Sequence, residues 1–376
     1  MIKVCHFSSV HSRHDVRIFQ KQCVSLVKAG YDVTFVVCDD IEDEIIDGVK
    51  IVSTGYKQKN RLERYFSSSK RVFRLAFKID ADIYCFHDPE LLRFAKYLKH
   101  KNKKVIFDSH EFYALQLLTK TYIPKCLRKL VSQIYQVVEK HSLRYVDAVL
   151  TPCTINGKNY FQNKAKKTIF IGNFPKISEF YNAFIPDSTK ENSACYTGSL
   201  TFERGLYHLG LASNKIEGRL VLAGEFSSKE FEEKVMGINK KGNLVYAGIL
   251  SKDDVVHLYK KSKIGICTLL DAGQYYQIDT LPTKAYEYMS MGLPVIISDT
   301  RYAVKLLKKY SFGLPVKSDN ADEISKAIMY LLENSKIAIQ MGEEGRRAVR
   351  DIFNWENEAI KLRQLYSELL EKGYED

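Results

Sequence analysis

The chain has 376 residues, 45% apolar and 27% charged, with a formal charge of +12. That length exceeds one simple core and predicts two domains, and the balance is that of a soluble globular protein. No run approaches the roughly 18 uninterrupted apolar residues of a membrane span, and the eight scattered cysteines form no C-x-x-C pair, so a zinc or disulfide framework is not expected.

The charge is unevenly spread. Residues 1–180 carry 31 Lys and Arg against 18 Asp and Glu, and the remainder 26 against 27. This asymmetry points to an anionic partner for the first half: a membrane surface, a phosphorylated ligand or a nucleic acid. The N-terminus begins directly as a strand, without a signal peptide's basic and apolar regions, and the cysteine usage suits a reducing cytoplasm.

In chain order, Lys3–Ser8 reads as a strand and Arg17–Ala29 as a helix closed by Gly30. Strands follow at Tyr31–Cys38 and Val49–Ser53, then a basic, aromatic helix over Arg61–Lys78. Asp82–Phe86 is a strand, Pro89–Leu98 a helix, Lys104–Phe107 a strand, Lys125–Arg144 one or two helices, and Asp147–Thr151 a strand. A last helix and the strand Ile169–Gly172 complete the series. Repeated βα units with near-continuous apolar strands predict a parallel, doubly wound sheet over residues 1–173. Residues 174–193, carrying Pro175 and Pro186, read as a linker.

A second βα series occupies 194–353. Its strands are Cys195–Thr197, Leu220–Ala223, Leu244–Ala247, Ile264–Thr268 and Val295–Ser298. Helices over 301–309, 322–333, 337–353 and 354–370 end the chain, the last expected to cross back to the first domain. In doubly wound sheets ligands bind at the carboxyl ends of strands. Five polar loops fall there: Ser8–Arg17, Phe86–Glu90, Asp108–Phe112, Thr197–Gly205 and Leu269–Thr280.

The last loop leads into the most telling stretch, Asp279 to Ser298. Pro282 suits a first helical position, Gly292 a helix C-terminus, and Val295–Ile297 a buried strand. Lys284 and Glu287 lie three apart behind the helix N-terminus. The helix amides and Lys284 suit an anion, and Glu287 suits hydroxyls. An ordinary surface ion pair is the other reading of the same spacing.

Taken together, these residues resemble retaining glycosyltransferases of the GT-B fold, of the family-4 type, in the polysaccharide-building branch. The resemblance rests on Asp279-x7-Glu287 with Met291-Gly-Leu-Pro-Val-Ile296, and on Tyr196-Thr-Gly-Ser-Leu-Thr-Phe-Glu-Arg-Gly205. Asn173, Val245-Tyr-Ala-Gly-Ile249, His87-Asp-Pro-Glu-Leu-Leu92 and Phe107-Asp-Ser-His-Glu111 add to it. The chain departs from the family pattern in three places. Asp279 stands where Glu is usual, Ser199 where Arg is frequent, and His11-Ser-Arg-His-Asp-Val-Arg17 where many members carry a Gly-Gly pair.

The resemblance implies two Rossmann-like domains facing a cleft, and retention of anomeric configuration. It assigns the donor diphosphate to Arg204, Lys284, Ser199 and Gly198, the ribose and base to Glu287, Gly248 and Ile249, and catalysis to His110, Asp279, Glu287 and Arg204. Asp15, Arg17 and His14 would meet donor or acceptor in the first loop, and Asp88 and Glu111 would stand on the acceptor side. Without an Asp-x-Asp pair no metal is expected, and no cofactor beyond the nucleotide diphosphate sugar.

Expected partners are that donor, UDP-linked in preference to GDP-linked, a glycan or lipid-linked glycan acceptor, and an anionic membrane surface. Residues 57–78, basic and aromatic, suit that surface at the cytoplasmic face; a solvated helix face is the alternative. No nucleic-acid motif accompanies the basicity. A sugar-nucleotide epimerase or hydrolase on the same fold, or a catalytically silent scaffold or lipid-binding subunit, are competing readings.

Overall fold

The computed structural model describes residues 1–57, 60, 63–120, 122–186, 190–271 and 276–371. The chain divides into two compact units, Met1–Asn173 with Glu358–Asp376, and Phe174–Asn357. The C-terminal helix Trp355–Glu371 thus belongs, from Glu358 onward, to the first unit.

The first unit is built on strands β1 (Lys3–Ser8), β2 (Asp32–Val37), β3 (Glu44–Ile46), β4 (Val49–Ser53), β5 (Ile83–Phe86), β6 (Lys104–Asp108), β7 (Ala148–Thr151) and β8 (Thr168–Phe170). They form one sheet in the order β3-β4-β2-β1-β5-β6-β7-β8, parallel except for the β3–β4 pair. Residues of β5 and β7 are buried throughout, as an apolar run covered on both faces requires. The chain runs outward from β1 to β2 and returns to β5 on its other side, so the sheet has its switch point between β1 and β5.

The second unit carries β9 (Ser193–Thr197), β10 (Arg219–Ala223), β11 (Leu244–Tyr246), β12 (Ile264–Cys267), β13 (Val295–Ser298) and β14 (Gly313–Val316). Their order is β11-β10-β9-β12-β13-β14, all parallel, with the switch point between β9 and β12. Leu206, Leu220, Leu222, Ile264, Ile266, Ile296 and Ile328 are among its fully buried core. Residues 174–186 pack on this unit: Phe174 meets Tyr286 and Phe353 edge-on, and Arg346 lies over the Tyr181 and Phe184 rings.

Several local expectations are corrected. No helix forms between β7 and β8; the run turns through Asn156 and Asn163, both left-handed, a conformation Asn tolerates better than most residues. Two strands have no counterpart in the sequence reading, β3 and β14. Both are sheet edges, and Pro315 fits β14 because an edge strand need not donate on its outer side. The first helix is wide over Val16–Cys23 before tightening at Val24–Lys28. The Asp15 carbonyl accepts from both Phe19 N (3.0 Å) and Gln20 N (3.1 Å). Pro282 stands one place earlier than expected, as the cap before the helix Thr283–Ser290, with extended ψ of 143°.

Candidate active site

In the first unit the loops after β1, β5 and β6 line a cavity of about 570 Å³ whose walls include His11, Asp15, Arg17, Asp88, Glu90 and His110. Asp108, at the end of β6, is fully buried. Arg17 donates to it twice, from Nε (3.0 Å) and Nη2 (2.6 Å), and Gln22 Nε2 donates at 2.6 Å. Burial alone would raise this carboxyl, but Arg17 and then His110 hold it well below the usual carboxylate range. His87 Nδ1 and His110 Nε2 each lie 3.2 Å from its Oδ2.

A carboxylate only accepts, so the imidazole nitrogens facing it donate. That makes His87 Nε2 the acceptor for His6 Nδ1 at 3.0 Å, and His6 Nε2 the acceptor for the Tyr366 hydroxyl at 3.1 Å. Burial pushes both His6 and His87 below the ordinary histidine value, as neutral members of such a chain should be.

The first loop is pinned to this frame. Asp88 Oδ2 accepts from Ser8 Oγ (2.9 Å), Ser9 N (2.6 Å) and Ser9 Oγ (3.1 Å). Asp15 caps its helix by accepting from Ile18 N (2.8 Å) and faces His11 Nδ1 at 3.1 Å. Burial opposes the His11 charge, but Asp15 and then Asp88 outweigh it and raise its pKa. The His11 and His110 rings are 4.4 Å apart. Lys21 Nζ donates to Asn173 Oδ1 at 2.8 Å, and Asn173 is a further wall of the cavity.

In the second unit the loops after β9 and β12 and the helix Thr283–Ser290 form another cluster. The Lys284 ammonium lies 3.6 Å from the centroid of the Tyr196 ring. Gly198 has a φ of 108°, which favours glycine, and a Cβ there would sit 3.2 Å from Lys284 Nζ; a Cβ on Gly224 would sit 1.9 Å from the Gly198 carbonyl oxygen, so bare backbone is needed at Gly224. Burial, with the nearby Arg204 charge, lowers the Lys284 pKa to about 8. Glu287 accepts from the Tyr259 hydroxyl at 3.0 Å. Tyr259 also lies 2.7 Å from Thr197 Oγ1 at the end of β9.

Gly205, left-handed at φ 74°, ends the short turn Phe202–Arg204, and Thr268 Oγ1 donates to the Arg204 carbonyl at 2.9 Å.

The structure places the predicted residues as follows. Asp15, Arg17, Asp88, His110 and Glu111 all line the first-unit cavity, whereas His14 is exposed and is not among its walls. The Arg17 guanidinium is buried and occupied by Asp108 and by the Ile171 carbonyl (2.9 Å), so its first partner is the protein itself. Gly198, Arg204, Lys284 and Glu287 lie on the second-unit loops and helix just described.

Ser199 is exposed, and its carbonyl accepts from Tyr196 OH at 3.4 Å. Gly248 is left-handed and its carbonyl accepts from Gly224 N at 2.8 Å, and Ile249 is 72% exposed beside it. Asp279 is paired with Arg301, whose Nη2 donates at 2.5 Å. Residues 272–275 of its loop lie outside the described residues.

Asp108, His87, His6, Tyr366, Tyr259 and Thr197 were not marked as site residues by sequence. Asp108 and His87 sit in loops that were marked, but Tyr366 and Tyr259 carry no local signal.

Among the described residues, two triads bring ligand-type atoms within 4.8 Å of one another, His6 with Cys85 and His87, and His87 with Asp108 and His110. In the second, Asp108 already accepts from Arg17 and Gln22.

Residues 177–348 match the family model "Glycosyl transferases group 1", and residues 17–162 match "Glycosyltransferase Family 4". The chain belongs to the GT-B glycosyltransferases of the family-4 type.

Two uncharacterized glycosyltransferases of Methanocaldococcus jannaschii are similar to it. One is 22% identical over 48% of this chain and 46% of its own, so the match spans about half of that protein. The other is 23% identical over 80% of this chain and 78% of its own. Sucrose-phosphate synthase from Thermosynechococcus elongatus shares the fold at a TM-score of 0.77 and 19% identity, covering 99% of this chain and all of that one. Anabaena HepE in complex with UDP and glucose does so at 0.72 and 11%, covering 98% and 100%. WaaG, a glycosyltransferase involved in lipopolysaccharide biosynthesis, does so at 0.66 and 12%, covering 96% and 99%.

Proposed function

We propose that this GT-B enzyme is a retaining hexosyltransferase. It moves a hexose or N-acetylhexosamine from a nucleotide diphosphate sugar, UDP-linked in preference to GDP-linked, to a glycan or lipid-linked glycan acceptor. The setting is surface polysaccharide biosynthesis in the cytoplasm.

The observation that carries this reading is Lys284. Its ammonium is half-buried, rests on an aromatic face beside Gly198, and has its pKa depressed by burial and by Arg204, with Cys267 and Glu287 acting in the opposite direction. Two cations that repel one another in a partly dry place are stabilised by an anion, and a diphosphate supplies it. HepE, on the same fold, forms a crystalline complex with UDP and glucose.

Each residue then has a task. Arg204, Lys284 and the N-terminal amides of the helix Thr283–Ser290 stabilise charge growing on the departing diphosphate, so the reaction needs no metal. Glu287, oriented by Tyr259, accepts from ribose hydroxyls, with Gly248 and Ile249 beside the base. Ser199 and Gly198 border the phosphates. Asp279, steadied by Arg301, accepts from sugar hydroxyls.

His110, held by Asp108, steadies the sugar as it gains oxocarbenium character. The bond from the anomeric carbon to the diphosphate oxygen breaks, the acceptor oxygen bonds to that carbon on the same face, and the leaving phosphate oxygen takes the acceptor's proton. Asp88 and Glu111 border the acceptor in the first-unit cavity.

One observation favours a second reading. Glu90, in that cavity, is raised by burial and by Asp88, as a general acid of a hydrolase would be. The deciding experiment incubates the protein with a panel of UDP- and GDP-sugars, with and without a glycan acceptor. Transfer with retained anomeric configuration, unaffected by EDTA and dependent on acceptor, supports the transferase. Release of free sugar without acceptor supports the hydrolase. Absence of any thermal stabilisation by nucleotide or nucleotide sugar overturns the donor site itself.

A further inference from the structure

Two basic helices of the first unit differ in what they leave uncovered. Lys59 and Arg61 of the basic stretch lie outside the described residues. The helix Ser69–Lys78 seats Val72 and Ala76 in the core and shows Lys70, Arg71, Arg74 and Lys78 to solvent; its exposed apolar side chains are aromatic, Phe77 and, in the turn before it, Tyr65 and Phe66, with no exposed aliphatic arc among the described residues.

The helix Lys125–Ser142 does the opposite. It buries small or polar residues, Ser132, Glu139 and Ser142, and leaves Leu127, Leu130, Ile134, Val137 and Val138 exposed at 46–71%. At about 100° per residue these five share one arc of roughly 100°. Lys129 and Lys140, both exposed, lie roughly 60–80° beyond one edge of that arc, and the helix's sole carboxylate, Glu139, is buried.

Tyr135 of the same helix faces the other way, into the wall of the cavity that also holds Asp88 and His110.

We infer that the helix Lys125–Ser142 is a docking surface for an anionic lipid bilayer. The aliphatic arc enters the boundary between headgroups and acyl chains, and the flanking lysines stay at the phosphate level, their stems lying along the apolar surface. Charge complementarity selects this occupant. The five side chains expose on the order of 450 Å², about half of what one partner contributes to a stable protein interface. A second copy would also set lysine rows against each other.

The inference deepens the lipid-linked acceptor of the proposed function, because it brings the membrane to the helix that walls the first-unit cavity. It moves the membrane face away from residues 57–78.

The test is sedimentation of the full chain with phosphatidylcholine vesicles, with and without phosphatidylglycerol, at low and high salt. The expected result is binding to the anionic vesicles that weakens with salt. The double variant Ile134→Glu, Val137→Glu should lower that binding at least ~10-fold. Lys129→Glu with Lys140→Glu should lower it and flatten its salt dependence, and Lys70→Glu with Arg74→Glu should leave it as it was.

Three results would overturn the inference: no vesicle binding; binding indifferent to positions 134 and 137; or a concentration-dependent dimer that Ile134→Glu dissolves while vesicles bind nothing. The substituted residues are exposed, and thermal stabilisation by UDP reports separately on the folded second unit. A lost membrane contact with intact UDP binding and intact transfer to a soluble acceptor is therefore distinguishable from failure of the transferase reading.

Discussion

The two units keep their charges in opposite ways. In the first, Asp108 is saturated by the protein itself: Arg17, Gln22 and two histidines converge on one buried carboxylate. In the second, Lys284 rests on a tyrosine ring, and burial and Arg204 depress its charge instead of sustaining it. A carboxylate satisfied in advance fixes geometry, whereas a cation left partly dehydrated stores attraction for a ligand. On the proposed function, one cluster is a rigid frame for the reacting groups and the other a receptor.

The largest effect should come from breaking the frame. Arg17→Met leaves Asp108 buried without its bidentate partner and should cost about 3–5 kcal/mol in urea unfolding. An unchanged unfolding midpoint would show that the first cluster is not self-sustaining. Acid should act in the same direction. The Asp108 carboxyl is depressed in the folded state, so its contribution is complete above the unfolded value of about 4 and is lost as pH falls through the folded one.

Breaking the receptor should cost rate and not fold. Lys284→Ala is expected to lower kcat by about 10²–10³-fold with unfolding little changed, read by transfer assay and urea titration. Glu287→Ala should raise the donor KM by roughly 10–100-fold through loss of a charged hydrogen-bond acceptor. Full activity of either variant would remove that residue from the donor site.

His110→Ala separates the two clusters most cleanly. It should lower kcat by about 10²-fold while UDP affinity, measured by calorimetry, stays as in the parent. An equal loss of UDP affinity would contradict the division of labour.

A smaller effect is expected from pH. Lys284 loses its proton as pH rises through about 8, and with it the attraction for a diphosphate. UDP affinity should therefore fall between pH 7 and 9, by at most ~10-fold per unit above that value. Lys284→Ala should flatten the profile. The smallest effect is His14→Ala, exposed and away from the cavity walls, which should change transfer by less than about twofold.

What could be read without coordinates was local. The βα alternation, the loaded loops at strand ends, and the Pro282 to Gly292 helix all follow from side-chain periodicity and from residues that start or stop an element. They placed Lys284, Glu287 and His110 on the correct elements. The helix between β7 and β8 failed because Asn156 and Asn163 turn left-handed there, and β3 and β14 were missed because edge strands lack the long apolar runs of buried ones.

The sequence by itself determined the two doubly wound sheets and the candidate donor helix, because these patterns repeat within a few residues. Only the tertiary structure decided which groups face one another. Tyr366 reaches His6 across 360 positions, Tyr259 orients Glu287, and Arg301 holds Asp279. It also decided that the helix Lys125–Ser142 keeps an aliphatic arc uncovered. Burial is a property of what packs above a residue, and the residue's own neighbours in sequence do not record it.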